Sequence, residues 1–126
     1  MSFSNLILVF LGGGLGSVLR FFLSKTVNLF LPLSLPFATL FSNLFSVGVL
    51  SLVYLISQLK NTEHENIRLL IMVGFCGGLS TFSTFSMETA ELFRRGETWW
   101  AVSNIVFSNL ACISIMLLAM KNMPNG

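Results

Sequence analysis

The chain has 126 residues, of which 54% are hydrophobic and 10% are charged, with a formal net charge of +2 and a mean hydropathy of +0.83. An ordinary soluble domain carries about a quarter charged residues, so this composition excludes a soluble enzyme, and no nucleic-acid partner is expected. Four apolar runs, at about residues 5–24, 37–59, 67–93 and 99–120, reach the roughly 20 residues that span a lipid bilayer. The sequence predicts an all-α integral membrane protein with one transmembrane domain over residues 1–126.

The first predicted helix, NLILVFLGGGLGSVLRFFLS, is expected to be retained, because no Lys or Arg precedes it and no small-residue cleavage site follows. Gly12 and Gly16 have the spacing that lets two membrane helices approach closely. Arg20 lies near the end of this helix, and a charged side chain inside a bilayer is unfavourable. It either extends its head group to the interface or has a structural or anion-attracting role in a water-filled vestibule.

The second and fourth predicted helices each carry a polar stripe. The residues of each stripe are spaced to share one helical face: Thr39, Asn43 and Ser46 in the second helix, and Asn104, Ser108 and Cys112 in the fourth. Such stripes either form hydrogen bonds between helices, worth about 0.6 kcal/mol each on average, or line a polar path. Asn43 lies deep in its span, and both interpretations stay open.

The third predicted helix contains an unusual polar segment, GFCGGLSTFSTFSME, at residues 74–88. Gly77-Gly78 lies near the middle of this span, where glycine weakens a helix and predicts a break. Backbone groups freed by a break persist in a membrane only when protein buries them or when they line a cavity. The sequence therefore predicts a second copy of the chain at the break. Freed carbonyls there suit a small hard cation, and the following helix start suits an anion.

Aromatic, hydroxyl and acidic residues follow this break. Phe82 and Phe85 are spaced to stack on one face, where their ring edges suit contact with a small anion; such pairs also commonly face lipid or pack in a core. Ser83 and Thr84 precede Glu88 by about one helical turn, within reach of its carboxylate. Glu88 either belongs to this polar set or is solvated near the membrane interface.

Basic residues do not define one orientation in the membrane. Lys and Arg are enriched in cytoplasmic loops. The four spans place these residues equally on the two sides, with Lys60, Arg68 and Lys121 on one and Lys25, Arg94 and Arg95 on the other. This balance predicts a dual-topology protein whose copies assemble antiparallel, unless other factors fix one orientation.

The remaining reactive residues do not form a recognisable catalytic or metal-binding motif. His64 is expected to be a solvated residue of the loop KNTEHENIR. Cys76 and Cys112 lack metal-ligand spacing, and the sequence contains no Walker loop or nucleophile elbow. These features predict that the protein is not an enzyme.

Three segments occur in order along the chain: GGGLGSVLRF in the first helix, ATLFSN at the start of the second, and residues 74–88 in the third. In these motifs, in length and in number of spans, the chain closely resembles the CrcB/Fluc family of fluoride channels. The resemblance implies a homodimer in the lipid bilayer of a bacterial plasma or inner membrane, with two pores that passively export cytoplasmic fluoride. A heterodimer with a paralogue is an open alternative.

The resemblance also implies roles for individual residues. Backbone carbonyls of Gly77 and Ser80 from both copies would hold a central structural sodium ion, although many relatives have Thr in place of Ser80. Arg20 and Thr39 would be vestibule or structural residues. The implied fluoride pathway consists of Asn43, Phe82, Phe85, Ser83, Thr84, Glu88 and Ser108. The family often has an aromatic hydroxyl or an imidazole near position 104, so the roles of Asn104 and Cys112 stay undefined.

Two other classes of membrane protein are open at this stage. A small four-helix proton-coupled multidrug exporter is similarly short, but it needs a titratable acid within its bundle, and the first helix has none. A noncatalytic membrane assembly subunit would carry no flux at all.

Overall fold

The computed structural model describes residues 1–60 and 64–121, which are helical apart from short connections. We number the helices α1 (Phe3–Phe30), α2 (Phe37–Leu59), α3 (residues 65–79), α4 (Phe82–Arg94) and α5 (Thr98–Lys121). Together α3 and α4 form the third span, Glu65–Arg94, and all four spans are long and apolar enough to cross a membrane. The predicted all-α membrane fold is confirmed. Parts of the predicted loop after α2 (residues 61–63) and of the predicted domain (residues 122–126) lie outside the described residues.

The first helix is longer than the predicted residues 5–24. Ser2 caps its start, because Ser2 Oγ accepts a hydrogen bond from the Asn5 backbone N–H at 3.3 Å. The helix continues to Phe30 and ends where Pro32 disfavours a helical conformation of the preceding residue. The predicted helix ended at residue 24, and the polar residues that follow this position are helical in the structure.

The backbones of α1 and α3 are in direct contact. A Cβ atom at Gly12 or Gly16 would lie 2.1 Å or 2.2 Å, respectively, from a carbonyl oxygen of α3. On the facing helix, a Cβ atom at Gly78 would lie 2.4 Å from the carbonyl oxygen of Gly13. These distances exclude any side chain, so the close-packing face predicted from the glycine spacing is confirmed.

The third span is interrupted at Ser80 and Thr81, just beyond the predicted Gly77-Gly78 pair. Gly77 is helical, with φ −64° and ψ −37°, whereas Ser80 and Thr81 are extended, with ψ 156° and 119°. The predicted break near this glycine pair is confirmed, and its extended residues begin two positions after Gly78. Gly78 is required for the close approach to α1, so this glycine serves packing rather than the interruption itself.

Large apolar side chains lie on the outside of the chain, and small or polar side chains lie inside. Phe10, Phe21 and Trp99 are all exposed. The buried polar residues in the described ranges are Thr39, Ser42, Ser46, Ser51, Thr89, Asn104 and Ser108. This distribution is the reverse of that in a soluble domain and matches membrane helices, which associate through small residues and interhelical hydrogen bonds.

The connections between spans are short and well defined. Pro36 is the N-cap of α2, and residues 32–35 join it to α1. Gly96 follows α4 with φ 80°, a left-handed conformation that glycine adopts at little cost and that commonly ends a helix. This turn brings α5 back against α2 and α4.

Candidate functional site at the helix break

Side chains from α1 and α2 bind the carbonyls at the end of α3. Arg20 Nε donates a hydrogen bond to the Gly78 carbonyl oxygen at 3.1 Å. Ser46 Oγ and Ser80 Oγ both donate to the Cys76 carbonyl oxygen, each at 2.8 Å. The last carbonyls of a helix lack helical partners, and a cation there is favoured by the helix dipole. The Arg20 side chain is therefore bonded to the end of α3.

The start of α4 is held by Thr81 and Asn43. Thr81 Oγ1 accepts a hydrogen bond from the Thr84 backbone N–H at 3.2 Å, which makes Thr81 a side-chain N-cap. The Thr81 backbone N–H donates to Asn43 Oδ1 at 2.9 Å. Because a backbone N–H can only donate, this bond orients the Asn43 amide. Asn43 Nδ2 donates to no described residue and is available to a ligand.

The carbonyl oxygens of the two extended residues, Ser80 and Thr81, accept no hydrogen bond from a described residue. Gly77 is exposed, and a Cβ atom there would meet no atom within 4 Å. In hydrocarbon, such carbonyls are costly unless protein buries them or they line a water-filled cavity. In residues 1–60 and 64–121, no group of three or more His, Cys, Asp or Glu side chains could hold a metal ion. The extended residues of the break also present backbone carbonyl oxygens, which are a ligand type that hard cations bind.

A cavity of about 460 Å³ opens beside the break. It lies between α1, the α1–α2 connection, α2 and α4, and its lining includes four predicted site residues: Arg20, Thr39, Thr84 and Glu88. Water and ions can therefore reach the polar ends of two helices from one side of the membrane. This cavity corresponds to the vestibule that was one of the alternatives considered for Arg20.

The hydroxyl partner of Glu88 is on a different helix from the one predicted. Thr39 Oγ1 of α2 donates a hydrogen bond to Glu88 Oε1. Ser83 and Thr84, which the sequence placed within reach of Glu88, instead contact Thr81 Oγ1 at 3.1 Å and 3.2 Å. The prediction considered only residues of the same helix, whereas Glu88 faces the cavity and α2.

Phe82 and Phe85 are in contact, as the sequence predicts. Their ring centroids are 5.7 Å apart and their planes are inclined by 35°. Phe85 is buried, with 9% of its surface exposed, whereas Phe82 is 76% exposed. The pair thus extends from the interior of the chain to its outer surface, where only lipid or another protein chain can cover Phe82.

The polar stripe of α5 forms hydrogen bonds inside the chain. Asn104 Nδ2 donates to Thr89 Oγ1 of α4 at 2.8 Å, and Ser108 Oγ donates to Asn104 Oδ1 at 3.2 Å. Asn104 and Ser108 are both buried, and neither lines the cavity at the break. Cys112 is half-buried with a free thiol. Of the two interpretations of this stripe, the structure favours interhelical hydrogen bonding.

Residues 7–120 match the family described as CrcB-like protein, Camphor Resistance (CrcB). The chain belongs to the CrcB family. A protein of Serratia proteamaculans named fluoride-specific ion channel FluC is 40% identical to it over 118 residues, covering 92% of this chain and 91% of the relative. A protein of Pyrococcus furiosus with the same name is 41% identical over 119 residues, covering 94% of each chain. One of Methylobacterium radiotolerans, also so named, is 38% identical over 123 residues, covering 94% of this chain and 83% of the relative.

Membership of the CrcB family confirms the resemblance found in the sequence. The relatives are named as ion channels, and the chain has four helices able to span a membrane. It is therefore a multi-pass protein of the cell membrane and not an enzyme. The exporter class considered from the sequence is not supported by these comparisons.

Thr81 and Thr89 lie outside the site predicted from the sequence. Both form hydrogen bonds that connect the elements of this CrcB site. Thr81 caps α4 and bonds to Asn43; a hydroxyl residue directly before a periodic apolar segment is a signal for such a cap. Thr89 links α4 to α5 and lies one helical turn after Phe85. Its role depends on the neighbouring helix, so no local pattern indicates it.

Proposed function

We propose that this CrcB chain forms a passive fluoride-selective channel from two antiparallel copies, which exports fluoride from the cytoplasm. The observation that carries this proposal is the interrupted third span. At this one place the chain presents extended backbone whose Ser80 and Thr81 carbonyls accept no hydrogen bond from a described residue, an available amide donor on Asn43 and the exposed ring of Phe82. The identity of the permeating ion, fluoride, is taken from the names of the relatives.

The exposed groups at the break support a second copy as the partner. Irregular backbone at membrane depth is tolerated when protein buries it, and a twofold interface would bring two identical breaks together. The equal numbers of Lys and Arg on the two sides of the membrane agree with insertion in both orientations. An antiparallel pair related in this way would have two equivalent pathways, each lined by residues from both copies.

The donor set at the break fits a sodium ion at the twofold axis. Carbonyls of Gly77 and Ser80 from both copies would hold it, and oxygen ligands of this kind are those that hard cations prefer. One chain offers too few such oxygens for a closed cage, so the site would form only in the assembled dimer. When bound, the ion would neutralise the carbonyl dipoles and link the two breaks.

The pathway would replace the water around fluoride with several weak donors. Asn43 contributes its Nδ2 group. The Thr84 hydroxyl accepts from Thr81, so its own hydrogen is available. Ser83 is exposed beside it, and its hydroxyl would have to leave its bond to Thr81 to contact the ion. Phe82 and Phe85 contribute positive ring edges. Weak sites in series let an ion leave as readily as it enters.

The cavity would form the aqueous entrance of the pathway. Arg20 lines it and adds positive charge, which attracts an anion. Thr39 and Glu88 lie at the same entrance and are bonded to each other. Ser108 is left out of the proposed pathway, because its hydroxyl donates to Asn104 and has no hydrogen left for an anion.

Ion efflux from proteoliposomes containing only this purified chain tests the proposal. A fluoride electrode should record rapid loss of fluoride, while a chloride electrode records retention of chloride. The Phe82→Ile variant should slow fluoride efflux by about tenfold or more, since the replaced ring edge is a direct contact of the ion. Phe93→Ile is the matched control, because Phe93 is another exposed phenylalanine of α4 near its far end.

Asn43→Asp separates the two functions assigned to Asn43. The variant keeps an oxygen that accepts from the Thr81 N–H, so the break should stay folded, but it loses the amide donor and fluoride efflux should fall. Wild-type efflux from both Asn43→Asp and Phe82→Ile would remove these residues from the pathway. Absence of any fluoride efflux from the wild-type chain would contradict a homodimeric channel, and co-expression with a paralogue would then test the heterodimer.

A further inference from the structure

Four buried residues form an unbroken hydrogen-bond chain from α5 to the buried phenylalanine of α4. Ser108 Oγ donates to Asn104 Oδ1 at 3.2 Å, Asn104 Nδ2 donates to Thr89 Oγ1 at 2.8 Å, and Thr89 Oγ1 donates to the Phe85 carbonyl oxygen at 2.7 Å. Their exposed fractions are 6%, 8%, 6% and 9% in the same order. In a buried, fully satisfied network of this kind, each bond also constrains its neighbours.

The direction of every bond in this chain follows from the Phe85 carbonyl. A carbonyl can only accept, so the Thr89 hydroxyl must donate its single hydrogen to it. Thr89 Oγ1 can then only accept from Asn104, which places Nδ2 of the amide toward α4 and Oδ1 toward Ser108. Ser108 in turn donates to Oδ1. The hydroxyl hydrogens of Thr89 and Ser108 are both used, and neither remains for a passing anion.

We propose that Thr89 and Asn104 are positioning residues that hold Phe85 in place for ion passage. This inference rests on the proposed channel function, in which Phe85 is a pathway residue. It assigns Asn104, at the position where the family often has an aromatic hydroxyl or an imidazole, to bonding between helices rather than to contact with the ion.

The break explains why Phe85 needs such support. Because Ser80 and Thr81 are extended, α4 receives no helical continuity from α3. Its first turn is held by the Thr81 cap and by Asn43, and the next attachments along the helix are the adjacent Thr39–Glu88 and Thr89–Asn104 bonds. Phe85 lies between these two points. The Thr89 hydroxyl that donates to the Phe85 carbonyl also accepts from Asn104, and this shared atom couples the Phe85 backbone to α5.

Two substitutions interrupt this series of hydrogen bonds at different positions. Thr89→Val keeps the shape of the side chain and removes both of its hydrogen bonds, whereas Thr89→Ser keeps the hydroxyl. Asn104→Leu removes the link to α5 but leaves the Thr89 bond to Phe85 possible. Ser103→Ala is the matched control, because Ser103 is exposed on the same helix as Asn104.

Two measurements are made on each variant in full-length, reconstituted protein. Fluoride efflux reports the function. Fluorine NMR of 4-fluorophenylalanine incorporated at position 85 reports the environment of the Phe85 ring, independently of transport. Elution as a single species in detergent shows that a variant is folded, and if Thr89→Val fails this check then Asn104→Leu alone decides.

Thr89→Val and Asn104→Leu are expected to shift or broaden the resonance at position 85 and to reduce fluoride efflux roughly fivefold, the effect of one lost hydrogen bond. Thr89→Ser should recover most of the rate lost in Thr89→Val. Ser108→Ala, which removes only the outermost link, should change efflux less than Asn104→Leu does.

An unchanged resonance, or unchanged efflux, in both Thr89→Val and Asn104→Leu would overturn the inference. A larger loss in Ser108→Ala than in Asn104→Leu would also overturn it, because that order would place the α5 stripe in contact with the ion. If the wild-type chain carries no fluoride, the proposed function fails by itself, and the resonance at position 85 still decides whether Thr89 and Asn104 position the ring.

Discussion

The two halves of the third span are attached to the rest of the chain in different ways. On α3, Gly74 and Gly78 bring the backbone into direct contact with α1. On α4, the attachments are hydrogen bonds from polar side chains, such as Thr39 to Glu88 and Asn104 to Thr89. The first half has a backbone contact that the second lacks, in addition to the bonds from Arg20 and Ser46 to its last carbonyls.

This difference indicates how the two halves divide their tasks. A backbone contact between glycines leaves no room for adjustment, so α3 is a rigid support that ends at a defined place. The polar bonds of α4 are individually weak, and they surround the residues that face the cavity and the outer surface. Substitutions should therefore be severe along the α1–α3 contact and graded along α4.

The largest effect is expected from Gly16→Ala. The added Cβ atom would lie 2.2 Å from the Phe75 carbonyl oxygen, so α1 and α3 would have to separate, which should destabilise the fold by about 3 kcal/mol. Thermal unfolding in detergent measures the loss. Gly14→Ala is the matched control on the same helix, since a Cβ atom there would meet nothing within 4 Å. Equal midpoints for the two variants would contradict the backbone contact.

A smaller but clear effect is expected from Arg20→Met. This change removes the bond to the Gly78 carbonyl and leaves the end of α3 without its cationic cap, a loss of about 2 kcal/mol for a charged hydrogen bond. Thermal unfolding and fluoride efflux should both be impaired. Lys25→Met, a change of the exposed basic residue one turn further along α1, should leave the unfolding midpoint unaltered. An unaltered midpoint in Arg20→Met would show that Arg20 acts on the ion only.

Sequence patterns predicted the features of this fold that depend on one helix at a time. Hydropathy and length located four spans, and the spacing of Gly12 and Gly16 indicated a close-packed face. The spacing of Phe82 and Phe85 likewise predicted their contact. Each of these properties follows from helix geometry and composition, which a single segment already contains.

Features that depend on two helices could not be predicted in the same way. The glycine pair was interpreted as the break, but Gly78 is required where α3 meets α1, and the chain becomes extended only at Ser80. Glu88 was assigned hydroxyl neighbours on its own helix, whereas its partner Thr39 comes from α2. Helical spacing defines which residues share a face but does not identify the residue opposite.

The Thr39→Val variant should have an intermediate effect. It removes the hydroxyl that donates to Glu88 while keeping the shape of the side chain. Glu88 lines the open cavity, so water can replace part of the lost bond, and the expected destabilisation is about 1 kcal/mol. Fluoride efflux and thermal unfolding measure the change. Thr26→Val is the control, because the Thr26 hydroxyl bonds only within its own helix; equal effects of the two would exclude a role for the Thr39–Glu88 pair.

The smallest effect is expected from Ser46→Ala, although Ser46 is fully buried at the break. The Cys76 carbonyl that accepts from Ser46 Oγ also accepts from the backbone N–H and the hydroxyl of Ser80, at 3.0 Å and 2.8 Å. Losing one of three donors leaves no orphaned acceptor, so the destabilisation should be about 0.5 kcal/mol. Asn43→Leu, by contrast, leaves the Thr81 N–H without its acceptor and should destabilise the break more. Thermal unfolding of the two variants tests this order. If Ser46→Ala were the less stable variant, the order would be contradicted, because the Ser80 bonds alone would then not satisfy the Cys76 carbonyl.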